Sequence, residues 1–388
     1  MSMSDPPIEE LGLIYVSDTE PGIRRVRKGK GFCYKLPDGS LVCDEVTRRR
    51  IASLGLPPAY RDVWICLQDN GHLQATGLDV RGRKQYRYHK NWSSLRSGAK
   101  FDQLIDFAHA LPKIRRAVMR HLEGGADDVN GVLAALATLL DEAHLRVGNR
   151  TYVEQNGTYG ATTLLKRHLK LADGRIELRF KAKGGKRIQR SLKHPRLQRI
   201  LEEIADLPGR QLFAWRDESG VLKPVDSGRL NGYLAEIAGI AVSAKTFRTW
   251  AGSVAGFCAA RNAVLEGRRP AIREMCEAAA AVLHNTPAIC RSSYIHPSVI
   301  ELSDKDRDCT AADIEPMTEP LRGLRADENR LLDFLMNAGD EAARKMPLRW
   351  SASPIRQTAR ALGSQDDTAH RPRRTSRTSS VPRCRRGG

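Results

Sequence analysis

The chain has 388 residues, of which 64 are Lys or Arg and 45 are Asp or Glu, for a formal net charge of +19. Hydrophobic residues make up 41%, too many for a chain disordered throughout, and no apolar run approaches the roughly 20 residues of a membrane span. The surplus of positive charge points to an anionic partner, of which nucleic acid is the commonest large one.

The opening segment 1–10 is acidic and proline-bearing, with no basic or apolar stretch, so no secretory signal is expected. From about 10 to 90 the chain reads as mostly β. Short apolar runs at 23–27 and 32–35 precede Leu36-Pro37-Asp38-Gly39-Ser40 and a run at 41–43; Pro-Asp-Gly there is a turn, because glycine accepts positive φ. Asp44 is placed to cap a helix over 45–54 that ends at Gly55. Strands are predicted at 63–67 and 72–78, flanking Asp69-Asn70-Gly71, and at 85–89.

From about 95 to 300 helices predominate. Apolar residues recur at three- and four-residue spacing over 101–109, 113–122, 129–144, 196–205, 228–238, 247–262 and 272–283. One hairpin interrupts them, with strands 176–182 and 187–192 around Lys183-Gly184-Gly185-Lys186. The tail from 301 opens acidic (Glu301, Asp304, Asp306, Asp308, Asp313, Glu315) and holds a helix candidate at 321–335. From Ala369 on it carries seven arginines and no acidic residue, a composition that cannot bury a core and predicts disorder. The eight cysteines show no C-x-x-C spacing and no zinc pattern, as expected for reduced, mostly buried thiols in a cytoplasmic protein.

Four segments hold side chains suited to chemistry. In the stretch from Leu283-His284-Asn285-Thr286-Pro287 to Tyr294, Thr286 is a helix cap and Pro287 the first helical residue. That puts Tyr294 on the same face about two turns on. In Lys245-Thr246-Phe247-Arg248-Thr249-Trp250-Ala251-Gly252, Thr246 reads as a cap. Arg248 then falls in the first turn, where the helix dipole disfavours a cation, and this leans toward an anion contact. In Glu142-Ala143-His144-Leu145-Arg146-Val147-Gly148-Asn149, Arg146 closes an apolar helix. The fourth is the hairpin Phe180-Lys181-Ala182-Lys183-Gly184-Gly185-Lys186. Each alone is a weak signal, and three of the four have an ordinary explanation: a packed tyrosine, a cation at a helix C-terminus, a solvated charged turn.

Taken in chain order, Arg146, a hairpin lysine, Arg248, Asn285 (or His284) and Tyr294 after Thr-Pro form a set that resembles the type IB DNA topoisomerases of the small poxvirus-like kind, in their bacterial branch. The resemblance covers about residues 20–300. It includes Gly82-Arg83-Lys84-Gln85-Tyr86-Arg87-Tyr88-His89, which looks like the family's DNA-contacting strand and marks Gln85, Tyr86 and Tyr88 as DNA-binding. Gln85 suits base edges and the tyrosines suit phosphates or stacking; the bland alternative for both is an ordinary alternating strand face, and for Tyr88 it stands nearly level.

The resemblance implies Tyr294 as nucleophile, Arg146 and Arg248 on the nonbridging phosphate oxygens, and Lys183 as general acid. Relatives carry a His nine residues before the nucleophile; here that position is Asn285, with His284 one earlier. Asn285 takes the role, since an amide also donates a neutral hydrogen bond. The family's Phe-x-Gly-Lys becomes Phe180-Lys181-Ala182-Lys183, which leaves Lys186 as a competitor for the acid. The implied reaction cuts one strand through a 3′-phosphotyrosyl link and needs no ATP, metal or other cofactor.

The expected fold is α+β, a clamp around duplex DNA. It comprises an extension (1–20), a β-rich DNA-binding domain (21–92), a helical catalytic domain with an inserted hairpin (93–300) and a tail (301–388). The expected partner is double-stranded DNA, contacted by a monomer in the nucleoid. A tyrosine recombinase is the nearest rival. It usually shows His-x-x-Arg where this chain has Lys245-x-x-Arg248, and usually has a helical N-terminal domain. A noncatalytic basic DNA-binding protein is the rival of another class.

Overall fold

The computed structural model describes residues 12–217, 219–304, 310–311, 314–315 and 318–345. The arginine-rich end, Asp306, Asp308, Asp313, Cys309 and Cys384 lie outside the described residues. The six other cysteines are free thiols. No helix among the described residues is long and apolar enough to cross a membrane.

The architecture is α+β. A five-stranded antiparallel sheet comes first, built from β1 (Ile23–Lys28), β2 (Gly31–Lys35), β3 (Arg61–Ile65), β4 (Leu73–Leu78) and β5 (Lys84–Tyr88), in the order β2-β1-β3-β4-β5. Leu41 makes a single bridge to Lys35 where the sequence suggests a short strand. Helix α1 (Glu45–Ser53) is capped by Asp44, whose carboxylate accepts from the Thr47 amide as its sequence predicts. Its Ile51 joins Ile23, Val63, Ile65 and Ala75 in one small core, while Val16, Trp64, Cys66 and Leu73 form another. β5 is an edge strand and leads into α2 (Lys90–His121).

α2 corrects the expected pair of helices at 101–109 and 113–122: it is one helix of 32 residues that contains Pro112. Proline costs the interior a hydrogen bond, but the flanking turns bury Phe107, Leu111 and Ile114 completely or nearly so, and this burial favours continuity. α3 (Val129–Ala143), capped by Asp128, is the central helix, with residues 131–140 all buried. α4 (Arg150–Asn156), which has no apolar stripe to announce it, follows.

A three-stranded sheet, β6 (Leu169–Ala172), β7 (Arg175–Lys181) and β8 (Arg187–Leu192), carries the expected hairpin at its centre and edge. α5 (Pro195–Asp206), the ribbon β9 (Ala214–Arg216) and β10 (Leu222–Pro224), and α6 (Ser227–Ala238) lead to α7 (Ala244–Leu265). α8 (Ile272–Leu283), α9 (Pro287–Ser293), α10 (Pro297–Glu301) and α11 (Ala326–Lys345) complete the helices.

The cap of α7 is Ser243, with Thr246 as the reciprocal partner, not Thr246 as its spacing suggests. The pattern Ser-x-x-Thr satisfies two amide donors at once, so the helix begins earlier and Arg248 lies beyond its first turn. α11 docks through Leu331, Leu332, Phe334 and Leu335, with Phe334 against Phe257 of α7 (5.2 Å between ring centroids). Arg115 of α2 joins it to α3, its Nε 2.8 Å from Asp141 Oδ2 and its Nη1 2.7 Å from Glu328 Oε2.

Candidate active site

Three chain segments that leave helices bring the site together. α3 ends on His144, which adopts the left-handed conformation (φ 52°) and turns the chain out of the helix before Arg146. The Arg146 carbonyl accepts from Ala161 N (2.8 Å) and the Val147 carbonyl from Thr162 N (2.8 Å). This pairing works only because residue 160 is glycine: a Cβ there would lie 2.6 Å from the Arg146 carbonyl oxygen. α8 likewise ends on a left-handed histidine, His284 (φ 48°), and delivers Asn285 next. Thr286 then caps α9, its side chain accepting from Ile289 N.

Tyr294 is the C-cap of α9, at φ −134° and ψ −10°. It thus stands just past the helix and not on its second turn. α7 comes very close to it, since a Cβ on Gly252 would lie 2.7 Å from the Tyr294 carbonyl oxygen. The next residue, Ser253, is fully buried. Its Oγ donates to the Tyr294 carbonyl (3.2 Å) and accepts from His296 N (3.0 Å). Lys100 Nζ donates to the neighbouring Ser293 carbonyl (2.9 Å).

Four of the sequence-predicted side chains converge here. Arg146 Nη2 donates to Asn285 Oδ1. Arg248, 4% exposed, has its guanidinium carbon 5.2 Å from the centroid of the Tyr294 ring. Its Nη1 donates to the His144 carbonyl and its Nη2 to the Leu283 carbonyl, the latter at 3.0 Å. Arg248 Nε and Asn285 Nδ2 are buried with no hydrogen-bond partner among the described residues, so donor capacity remains at the centre of the cluster.

The electrostatics follow from this geometry. Burial alone raises the pKa of the Tyr294 phenol, but Arg248, Arg146 and Asn285 beside it outweigh burial and hold it below the ordinary tyrosine value. Burial, opposed by the phenol and reinforced by the charge of Arg146, lowers the pKa of Arg248. Burial and the cations Arg190, Lys186, Arg248 and Arg146 also depress His284, which favours a neutral imidazole.

Lys183 is not brought into this cluster. It is exposed at the hairpin turn and lines a groove of about 790 Å³ with Arg81, Arg83, Tyr152 and Lys181. Lys186 reaches the cluster instead, its Nζ donating to the Asn285 carbonyl (3.2 Å). Ala182 is buried at φ −101°, a conformation any residue adopts, so this turn does not require the family's glycine.

On β5, Tyr86 and Tyr88 are exposed and stacked (6.1 Å between centroids, 8° between planes). Gln85 alternates to the opposite face of the strand, where its Nε2 donates to Asp79 Oδ2 (3.1 Å). Two residues that the motif reading does not single out are also built into the site. Arg190 of β8 donates from Nε to the Ala143 carbonyl (3.1 Å) and from Nη2 to the Val282 carbonyl, and Ser253 holds the Tyr294 backbone. Arg190 lies between Ile188 and Leu192 on the inward positions of β8, and a charge on an apolar strand face is the signal that marks it.

Comparison with known proteins gives the family. Residues 89–303 match the family described as the catalytic core of eukaryotic DNA topoisomerase I, and residues 31–79 match the N-terminal domain of bacterial DNA topoisomerase IB. DNA topoisomerase 1B of Acanthamoeba polyphaga mimivirus is 31% identical over 295 residues, covering 72% of this chain and 87% of the viral one. DNA topoisomerase 1B of vaccinia virus is 24% identical over 107 residues, 28% of this chain, and the match spans only about a third (34%) of the vaccinia protein. These matches define the class as DNA topoisomerase I. The chain belongs to the type IB DNA topoisomerases.

Proposed function

We propose that the chain relaxes supercoiled duplex DNA by cutting and resealing one strand, with Tyr294 as the nucleophile. The phenolic oxygen attacks a backbone phosphorus, forms a 3′-phosphotyrosyl bond and expels the 5′ oxygen, which leaves as a hydroxyl once protonated. After the duplex swivels, the 5′-hydroxyl attacks the same phosphorus and releases the tyrosine. The phosphodiester energy is kept in the covalent intermediate, so one hard step becomes two easier ones and ATP is not consumed.

The observation that carries this reading is the convergence of Arg146, Arg248 and Asn285 on Tyr294. The transition state spreads negative charge over the nonbridging oxygens. Two guanidiniums and an amide donor match that charge, with Asn285 Nδ2 and Arg248 Nε buried beside the phenol. The same cations ease ionisation of the phenol. Proton donation to the 5′ oxygen is assigned to Lys183 by its place in the hairpin, with Lys186 as the competitor nearer the cluster. The stacked pair Tyr86 and Tyr88, with the basic β5 edge, supports a sheet that closes over the duplex, while Gln85 needs to leave Asp79 to touch a base. We assign a monomer as the working unit.

Incubating the protein with supercoiled plasmid in EDTA without ATP tests the reading. Site-independent relaxation is expected. Site-dependent strand exchange would indicate a recombinase, and gel retardation without relaxation a noncatalytic binder.

A further inference from the structure

Arg190 and Arg248 do parallel work. Arg190 takes the carbonyls of Ala143 and Val282; Arg248 takes those of His144 and Leu283, the next residue along each chain. These carbonyls end α3 and α8, where the last turns leave acceptors without helical partners. A guanidinium there supplies donors and complements the negative end of the helix dipole. Each arginine therefore ties together the two segments that deliver Arg146 and Asn285.

The two ties differ in where they start. Arg248 belongs to α7, while Arg190 belongs to β8, the return strand of the lysine-bearing hairpin. Removing Arg190 leaves the ends of α3 and α8 still joined through Arg248. Among the described residues, it removes one of two side-chain links from the hairpin's return side to the end of α8, the other being Lys186 on the Asn285 carbonyl.

We propose that Arg190 is a positioning residue for proton donation, fixing the lysine-bearing hairpin relative to the segments that hold Arg146 and Asn285. This rests on the topoisomerase reading given above and adds a role that the motif does not contain. Arg190 acts through another residue: it sets where the hairpin lysine meets the departing 5′ oxygen, and it touches no reacting atom.

The test compares single-turnover cleavage of two otherwise identical duplexes, one with the normal 5′ bridging oxygen and one with sulfur there. Sulfur leaves without protonation, so the second duplex does not need the donor. Arg190→Ala is expected to cut the oxygen strand about 10²-fold more slowly than the unaltered protein, the size of effect a displaced catalytic group produces. It should cut the sulfur strand within a few-fold of the unaltered rate. Arg146→Ala, compared in parallel, should stay slow on both. Equal slowing of Arg190→Ala on both strands overturns the proposal, because the loss would then lie in charge stabilisation or folding. A normal rate on the oxygen strand overturns it too. If Arg190→Ala does not fold, Arg190→Lys, which keeps a cation but cannot span both carbonyls, carries the same comparison. Absence of a covalent adduct from the unaltered protein on either strand would instead sink the underlying reading.

Discussion

Arg146 and Asn285 meet side chain to side chain, with Arg146 Nη2 donating to Asn285 Oδ1. This contact fixes which way the amide faces: its oxygen is engaged, so its Nδ2 donor is presented to the cluster. His284, one residue earlier, is the left-handed cap of α8 and has a buried, unpartnered Nε2.

Asn285→Ala should therefore slow cleavage by roughly 10²-fold, the typical cost of one lost transition-state donor. Asn285→Asp should be at least as slow, because it keeps the acceptor for Arg146 and adds an anion beside the phosphate. His284→Asn, which tolerates the left-handed backbone, should stay within a few-fold of the unaltered rate. A crippled His284→Asn beside an active Asn285→Ala would shift the register of the site by one residue.

Tyr294→Phe should bind DNA with unchanged affinity and form no covalent adduct, since only the attacking oxygen is removed. Trapping the protein on labelled DNA under denaturing conditions reads this directly. Plasmid relaxation by Tyr294→Phe at a normal rate is incompatible with the assignment.

Sulfur at the 5′ bridging position also decides between the hairpin lysines. Lys183→Ala should be slow on ordinary DNA and nearly normal on the sulfur strand. Rescue of Lys186→Ala with no rescue of Lys183→Ala moves the proton donor to Lys186. Rescue of neither moves it out of the hairpin.

With a net charge of +19, affinity for DNA should fall steeply with salt. For about six neutralised phosphates, log K against log salt should have a slope near −5. A flat response in a titration by fluorescence anisotropy would remove the polyanion argument without touching the catalytic one.

Arg115→Met should cost about 3 kcal/mol in urea unfolding, because it removes the main cation between the buried carboxylate of Glu328 and the half-buried one of Asp141, leaving them the more distant Arg325 guanidinium. Burial raises the pKa of Glu328, but Arg115 more than offsets this, so the folded value lies below the ordinary one. The stabilisation from Glu328 is thus present above the unfolded carboxylate pKa, near 4.5, and is lost as pH falls below it toward the folded value. Stability measured between pH 6 and pH 3 should drop less steeply in Arg115→Met than in the unaltered protein.

Much of this arrangement is legible in the residues themselves. Asp44 before α1, the glycine-bearing hairpin turns and the apolar spacing of α8 all act locally, so pattern and structure agree there. Pro112 misleads, because the buried flanks of α2 outweigh a local penalty. The α7 cap shifts from Thr246 to Ser243 because either residue has capping chemistry and the reciprocal pair uses both. Arg146, Arg248, Asn285 and Tyr294 can be picked out only as an ordered set; singly, each has an ordinary role. The contacts of Arg190 and Ser253 join residues tens of positions apart, and no local pattern specifies them.

The close packing of Gly252 and Ser253 against Tyr294 has a mechanical consequence. In the proposed covalent intermediate, a cut strand bonded to the phenol would pull on one side chain. The backbone carbonyl of Tyr294 is held by Ser253 of α7, and the preceding one, of Ser293, by Lys100 of α2. On that reading, tension from the turning duplex would pass to helices of 22 and 32 residues and not rest on the seven residues of α9 alone. Such a tether would be short and stiff, and would keep the phosphorus where the returning 5′-hydroxyl can find it.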